Sequence, residues 1–296
     1  MLLVTGITGH TGSYFLEKLV ENNYSGPIRC IVREGSDTTA IDNSGLLIEK
    51  KVGDLSDKNF LDKCMQGVDK VFHIVNIRYS LNILDACIRN NVNRLICVHT
   101  TGIFSKFRVA SEEYNIIEEE INRKASSHDI KLTILRPTMI YGDIRDRNMS
   151  KFIKMIDKFA VFPVIDNGKC LIQPVNARDL GKAYYDVLLL DESVVKNEYI
   201  LSGEKPIAMK DAFKLISAGL QKKRTFISVP LPLGVTLARM VRIITLSKID
   251  YVEKVQRMGE DRCFDHRDAF SDFNYNPEPF HKGITREITE YIQRNR

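Results

Sequence analysis

The sequence contains no C-x-x-C pair, and its six cysteines, at 30, 64, 87, 97, 170 and 263, have no histidine beside them at metal-ligand spacing. That argues against the common zinc frameworks, and no metal site is expected. Several of these cysteines lie inside apolar runs such as IRCIV and LICVH, which fits reduced, buried thiols better than a disulfide framework. No apolar run reaches the ~18 residues that span a bilayer. The opening MLLVTG lacks the charged start, apolar stretch and cleavage site of a secretory signal, so a cytoplasmic protein is expected. Charge is nearly balanced: 43 basic against 38 acidic residues leave +5, too little and too scattered for a nucleic-acid surface. Repeats and low-complexity tracts are also missing.

What is present is the composition of a soluble globular chain. Its 296 residues, 44% hydrophobic and 27% charged, suffice for one large domain or two modest ones. Short apolar runs alternate with amphipathic stretches through position 136, the pattern of βαβ units and a parallel sheet. The expected strands are 2–5, 27–33, 46–52, 69–75, 93–99 and 130–136. Helices are expected at 12–22, 58–66, 79–90 and 112–126, and runs such as VFHIV and LICVH read as strands covered on both faces. The fold class is therefore α/β, a doubly wound parallel sheet. After Tyr141 the rhythm changes to a basic stretch, a turn at Asp166-Asn167-Gly168, mixed short elements and a final helix near 283–294. This reads as a smaller lobe packed at the sheet edge: residues 1–145 with about 174–203 form the larger part, about 146–173 and 204–296 the lobe. A ligand cleft is expected between them.

The strongest local signal is VTGITGHTG, which places Gly6, Gly9 and Gly12 between the first strand and the first helix. A sharp turn, a close approach of backbone to a pyrophosphate and a tight helix-to-strand packing each require glycine, and the helix N-terminus then turns free N–H groups to the phosphates. Thr8, His10 and Thr11 complete the expected loop. Where an acidic residue would bind a ribose 2′-hydroxyl, Arg33 stands, 21 residues after Gly12. An arginine there matches a 2′-phosphate, so NADP is favoured over NAD, although Glu34 is adjacent. Asp54, followed by Leu55, closes the third strand, where a carboxylate can accept from an adenine amino group; Ser56 and Asp57 serve more naturally as the next helix cap.

With these residues in view, the chain resembles the extended and atypical short-chain dehydrogenase/reductase superfamily, the NAD-dependent epimerase/dehydratase and NmrA-like groups. The likeness runs through TGITGHTG, GDLSD, VFHIV, RLICVHTTGIF, TILRPTMIYG, LIQPVNARDLGKA and FDHRDAFSDFNYNPEPFHKGI, nearly the whole chain. It implies a Rossmann-type fold, a nicotinamide cofactor and a substrate held by the C-terminal lobe. It also implies a catalytic hydroxyl at Thr100, with Thr101 adjacent, and a catalytic tyrosine at Tyr114 that also meets the cofactor. Pro137 closes the sixth strand beside it, after Arg136.

Where the family's Tyr-x-x-x-Lys has lysine, this chain has Glu118. The ammonium lowers a tyrosine pKa from ~10 and binds the nicotinamide ribose, whereas a carboxylate disfavours phenolate. Tyr14 and Lys18 match the motif literally, but lie on the helix after the glycine loop, where Tyr14 is expected to face the sheet or solvent. The place of the diphosphate-binding arginine of sugar epimerases, after Gly168, is Ile172, and the segment between strands four and five is short.

His73 and His99 end strands that point to the crevice and read either as nicotinamide contacts or as buried structural histidines. Tyr141 and Gly142 line the family's pocket or form a plain strand exit. Asn176 or Ala177 caps a helix whose first turn carries Arg178 and Asp179. The stretch LPLGVTLARMVRIITLSK, with Arg239, Arg242 and Lys248, reads as a membrane-surface helix or as the cover of a lobe edge, and the second is expected.

Two functions follow. One is an NAD(P)-binding oxidoreductase or nucleotide-sugar epimerase/dehydratase acting on a small molecule; the other is a non-catalytic dinucleotide-binding redox sensor or assembly factor. A monomer or homodimer is expected.

Overall fold

The computed structural model describes residues 1–107, 109–248 and 250–295. The first half runs β1 (Leu2–Thr5), α1 (His10–Glu21), β2 (Ile28–Val32), α2 (Thr39–Asp42), β3 (Ile48–Val52), α3 (Lys58–Cys64), β4 (Lys70–His73), α4 (Ser80–Arg89), β5 (Arg94–Val98), α5 (Val109–Ser127) and β6 (Lys131–Pro137). The second half runs β7 (Ile140–Tyr141), α6 (Met149–Lys158), β8 (Val161–Ile165), β9 (Leu171–Ile172), β10 (Val175–Asn176), α7 (Ala177–Leu189) and β11 (Glu198–Leu201). It ends with β12 (Ile207–Ala208), α8 (Met209–Gly219), β13 (Thr225–Val229), α9 (Leu231–Ile244), α10 (Val252–Arg257), α11 (Arg267–Phe273) and α12 (Phe280–Arg294).

Seven parallel strands form one sheet in the order β11-β6-β5-β4-β1-β2-β3. The order reverses between β1 and β4, which opens a crevice at the carboxyl ends of these strands. All six expected strands are present, most with trimmed ends. A seventh, β11, lies in the stretch 174–203; EYIL is too short to announce itself by pattern. Strand β3, IEKKV, is the sheet edge and half exposed, unlike the strands covered on both faces, and its Glu and Lys side chains suit an unpaired edge.

Alternating side chains feed two cores. Leu2, Val4 and Phe72 pack with Phe15 of α1 and Tyr184 of α7 on one face. Leu3 and Val71 pack with α3, α4 and α5 on the other. A third core gathers Tyr141, Ile153, Phe162, Ile172, Phe213 and Ile284 around α6, α8 and α12. The cysteines are free, all buried except the half-buried Cys263, and burial pushes the Cys30 and Cys87 thiols up to about 12. Among the described residues no helix is long and apolar enough to cross a membrane.

Candidate cofactor and substrate site

The glycine loop has no room for side chains. Gly6 has φ +78°, and a Cβ on it would lie 2.9 Å from Val75 Cγ2. A Cβ on Gly12 would lie 2.1 Å from the Gly6 carbonyl oxygen. Gly9 N-caps α1 and donates its own N–H to Gly6 O at 2.9 Å. The first turn of α1 carries no acidic residue and no side-chain cap, so its N–H groups and positive dipole end are left for an anion. Thr8 and Gly9 are exposed, His10 is half-buried and Thr11 is buried. These features fit the pyrophosphate of a dinucleotide.

Arg33, just past β2, is exposed and has no ion-pair partner among the described residues. Asp54 is also exposed, and its Oδ1 accepts from the Ser56 N–H and hydroxyl, both at 2.8 Å, which lowers its pKa. The helix cap falls to Asp57, which accepts from Phe60 N–H at 3.0 Å. Leu55 is buried, and its carbonyl accepts from Asn82 Nδ2.

Glu118 is 5% exposed and turned into the protein. Arg136 donates to both its oxygens at 2.7 Å, and His99 Nδ1 lies 2.9 Å from Oε1. Burial alone would raise its pKa, but the hydrogen bonds from His99 and Arg136 outweigh burial and hold it below the ordinary value. Since a carboxylate only accepts, His99 donates from Nδ1 and accepts the Ser80 hydroxyl at Nε2, 3.0 Å away. Burial holds His99 below its ordinary pKa and takes His73, whose Nδ1 meets Thr5 Oγ1 at 2.7 Å, down to about 3. Both histidines are thus neutral parts of the sheet interior.

Helix α5 runs antiparallel to the strands it connects, so Tyr114 sits one turn, ~6 Å, nearer the crevice than Glu118. Its side chain is buried in the core beneath α5, with Arg78 5.3 Å over the ring and Arg78 Nη1 3.5 Å from the hydroxyl. Glu113 clamps the same guanidinium at 2.8 and 2.6 Å.

Tyr14 corrects an expectation. It faces neither sheet nor solvent but donates to Asp143 Oδ2 at 2.7 Å, with Arg178 4.7 Å and Arg145 5.6 Å over its ring. Burial and the bond to Asp143 raise the Tyr14 hydroxyl to about 12. Asp143 also receives Arg145 and lies 3.3 Å from His10 Nε2; burial would raise its pKa, but these partners hold it well below the carboxylate range. Lys18 pairs with Glu21. Asn176 caps α7, and the Arg178 side chain donates to the Gly142 carbonyl.

A cleft of about 310 Å³ opens at the ends of β5 and β6 against the lobe. Thr100, Thr101 and Thr138 form one wall, Asn148 and Gln173 the lobe side, and Arg257 to Phe264 the opposite rim. Tyr114 and Glu118 are not among its lining residues. Thr101 spends its hydroxyl on the Pro137 carbonyl at 3.2 Å. Thr100 Oγ1 instead accepts from Gly102 N–H at 3.0 Å, and its own O–H has no acceptor among the described residues. Ile172 is fully buried, and the guanidinium at this wall comes from Arg262, whose backbone bridges to Ile172. Arg262 Nε is buried without a hydrogen-bond partner among the described residues, and burial lowers the side chain's pKa. Arg262, Glu260 and Gln173 were not singled out by sequence. The acidic and basic cluster GEDR ahead of the FDHRDAF motif was the one available signal.

A family model described as NAD(P)H-binding matches residues 6–156, which span the glycine loop and the crevice edge. The chain belongs to this NAD(P)H-binding family. Among curated proteins, this NAD(P)H-binding chain is 35% identical to sterol demethylase protein B of Methylococcus capsulatus over 71 residues, 24% of this chain and 20% of that protein's length. It is 20% identical to short-chain dehydrogenase/reductase family 42E member 1 of Xenopus laevis, across 81% of this chain and 76% of that protein. Its fold is that of the extended short-chain dehydrogenases/reductases. The NADPH-dependent quinone oxidoreductase of Escherichia coli, solved with NADPH, superposes with TM-score 0.75 at 16% identity, covering 99% of this chain and all (100%) of that one. The UDP-glucose 4-epimerase of Thermotoga maritima, solved with UDP-glucose, superposes with TM-score 0.74 at 16% identity, covering 100% and 99%.

Proposed function

We propose that this protein is an NADP(H)-dependent oxidoreductase of the extended/atypical short-chain type, acting on a small carbonyl or alcohol in the cleft beside Thr100. The observation that carries this reading is the Thr100 hydroxyl, which accepts from Gly102 N–H with one lone pair and keeps its proton for a substrate oxygen. A dinucleotide held by its pyrophosphate at the glycine loop would supply or accept the hydride through its nicotinamide. Gly6, Thr8, Gly9, His10, Thr11 and Gly12 hold the phosphates, Arg33 the 2′-phosphate, and Asp54, Leu55 and Pro137 border the dinucleotide. Tyr114, with Arg78 beside its hydroxyl, serves the cofactor side of the reaction. Residues 1–145 with about 174–203 carry the cofactor, and about 146–173 with 204–296 the substrate. The reducing interior of the cell suits the free thiols.

The epimerase likeness favours a nucleotide sugar, the quinone oxidoreductase likeness a smaller oxidant. A cleft of about 310 Å³, at the lower end of the ~300–1,000 Å³ of ligand pockets, and Ile172 in place of an arginine support the smaller substrate. The test is NADPH consumption over a panel of aldehydes, ketones, quinones and nucleotide sugars. Thr100→Val is expected to lower kcat about 100-fold, the scale of one lost donor to a developing oxyanion, with NADPH affinity unchanged. Arg33→Ala is expected to weaken NADPH at least ~10-fold and spare NADH, as for a lost charge-assisted bond.

One observation favours a second reading, a non-catalytic dinucleotide sensor: no lysine lines the cleft among the described residues. Tight NADPH binding with no turnover across the whole panel would select it.

A further inference from the structure

Helix α9 does not bury the face its sequence offers. Only Gly234 and Ala238 are buried, where the helix packs on Ile165 and Val255. Leu233, Leu237, Met240, Val241 and Ile244 follow one another at i, i+4, i+7, i+8 and i+11, so they share one side of the helix. All five are exposed, Leu233 at 52% and Ile244 at 79%, and Ile243 and Leu246 extend the patch at 74% and 84%. A soluble surface scatters such side chains singly, whereas a contiguous stripe marks a binding face.

The charges of the same segment identify its partner. From Leu231 to Lys248 there is no Asp or Glu, while Arg239, Arg242 and Lys248 are all exposed. Asp250, just beyond the segment, lies 3.4 Å from Arg242. A two-fold contact between copies through this helix would bring together segments that carry cations and no acidic residue to answer them. The stripe also lacks a free hydrogen-bonding group to fix a protein partner's register; the flanking Thr236 hydroxyl donates to Pro232 O within the helix. An apolar face on a segment whose charged residues are all cations, turned to its other side, matches acyl chains beneath anionic headgroups.

We propose that α9 is a docking helix for an anionic membrane surface, lying in the interface with Leu233, Leu237, Met240, Val241 and Ile244 inserted and Arg239, Arg242 and Lys248 at the headgroups. The rim of the substrate cleft, Arg257 to Phe264, continues directly from α10, which packs on α9, so docking sets the cleft mouth beside the bilayer. This holds whether or not the protein turns over a substrate.

Flotation of the full chain with phosphatidylcholine vesicles, with and without phosphatidylserine, tests it. Binding is expected to phosphatidylserine vesicles and to fall with salt. Replacing Arg239, Arg242 and Lys248 together by Gln is expected to lower the partition coefficient about 100-fold, at roughly fivefold per cation. Leu237→Glu with Ile244→Glu is expected to abolish flotation. Thermal unfolding and NADPH affinity of both variants, expected unchanged, show that they fold. A wild-type chain that binds NADPH yet never floats overturns the proposal. A chain whose mass in solution is twice that of the monomer, reverting to monomer with Leu237→Glu, overturns it equally, by assigning the stripe to a second copy.

Discussion

Replacing Glu118 by lysine restores Tyr-x-x-x-Lys in the sequence register, and a vestigial active site would answer with a gain of activity. The geometry dictates the opposite. The carboxylate is 5% exposed and bonded to Arg136 at 2.7 Å through each oxygen and to His99 at 2.9 Å. Removing one partner of such a buried pair costs about 3–5 kcal/mol, because the carboxylate left to Arg136 among the described residues is the more exposed Glu198 at 3.0 Å. An ammonium ~4 Å from the guanidinium adds repulsion of ~4 kcal/mol at an effective dielectric constant of 20. Side-chain rearrangement relieves part of this, so the expected loss is about 4 kcal/mol, a large share of a total stability of ~5–15 kcal/mol. Glu118→Gln keeps shape and one acceptor and is expected to lose about 2 kcal/mol. Urea unfolding followed by circular dichroism measures both. At ~3 kcal/mol per molar urea, the lysine variant's midpoint falls by more than about 1 M. A Glu118→Lys protein that unfolds at the wild-type midpoint and reduces substrate faster refutes the reasoning, because its side chain would then face the cofactor.

Three further perturbations probe the site and its supports. Gly12→Ala places a Cβ 2.1 Å from Gly6 O, so loop and helix must part; NADPH affinity is expected to fall at least ~10-fold and stability by about 1–3 kcal/mol, read by fluorescence titration and melting. His73 has a pKa of about 3 in the fold against 6.5 free, so between these pH values only the unfolded chain binds its proton and stability falls on acidification, by on the order of 4 kcal/mol. Unfolding midpoints from pH 7 to pH 4 should show that limb, and His73→Asn should flatten it. Asp179 is raised by burial to about 6 from 3.8, so the unfolded chain releases its proton first, and the fold loses up to ~3 kcal/mol as pH rises through that window. Asp179→Asn is therefore expected to stabilise more at pH 8 than at pH 5; equal effects at both would place the carboxylate in contact with solvent.

The parallel sheet was legible because most of its strands are predominantly apolar and separated by helix-period stretches, and the glycine loop because steric exclusion leaves glycine as the sole choice at Gly6 and Gly12. The third dimension was not legible in the same way. Glu118 reads in sequence as a broken dyad, yet its meaning depends on Arg136, 18 residues on, and on His99, 19 residues back. Tyr14 reads as a helix residue of no consequence, yet its partner Asp143 is 129 residues away. Arg262 comes to the cleft through a backbone bridge to Ile172, a pairing that periodicity does not reveal. Local pattern reports which face of an element is apolar, whereas site geometry is made of contacts between segments distant in sequence.

Those distant contacts also join the two halves of the molecule at both ends of the proposed cofactor path. At the phosphate end, His10 and Tyr14 of the glycine helix converge on Asp143, and Ser13 accepts from Arg145, in the segment that leads into the lobe. At the substrate end, Ser105 donates to Glu260 Oε2 at 2.6 Å and the Lys106 N–H to Oε1 at 3.0 Å, while Phe104 packs 5.6 Å from Phe264. The loop that carries Thr100 is thus held by the rim of the lobe. In the proposed oxidoreductase the hydride donor and acceptor must be fixed in one frame, and the side chains that join the lobe to the sheet would supply it.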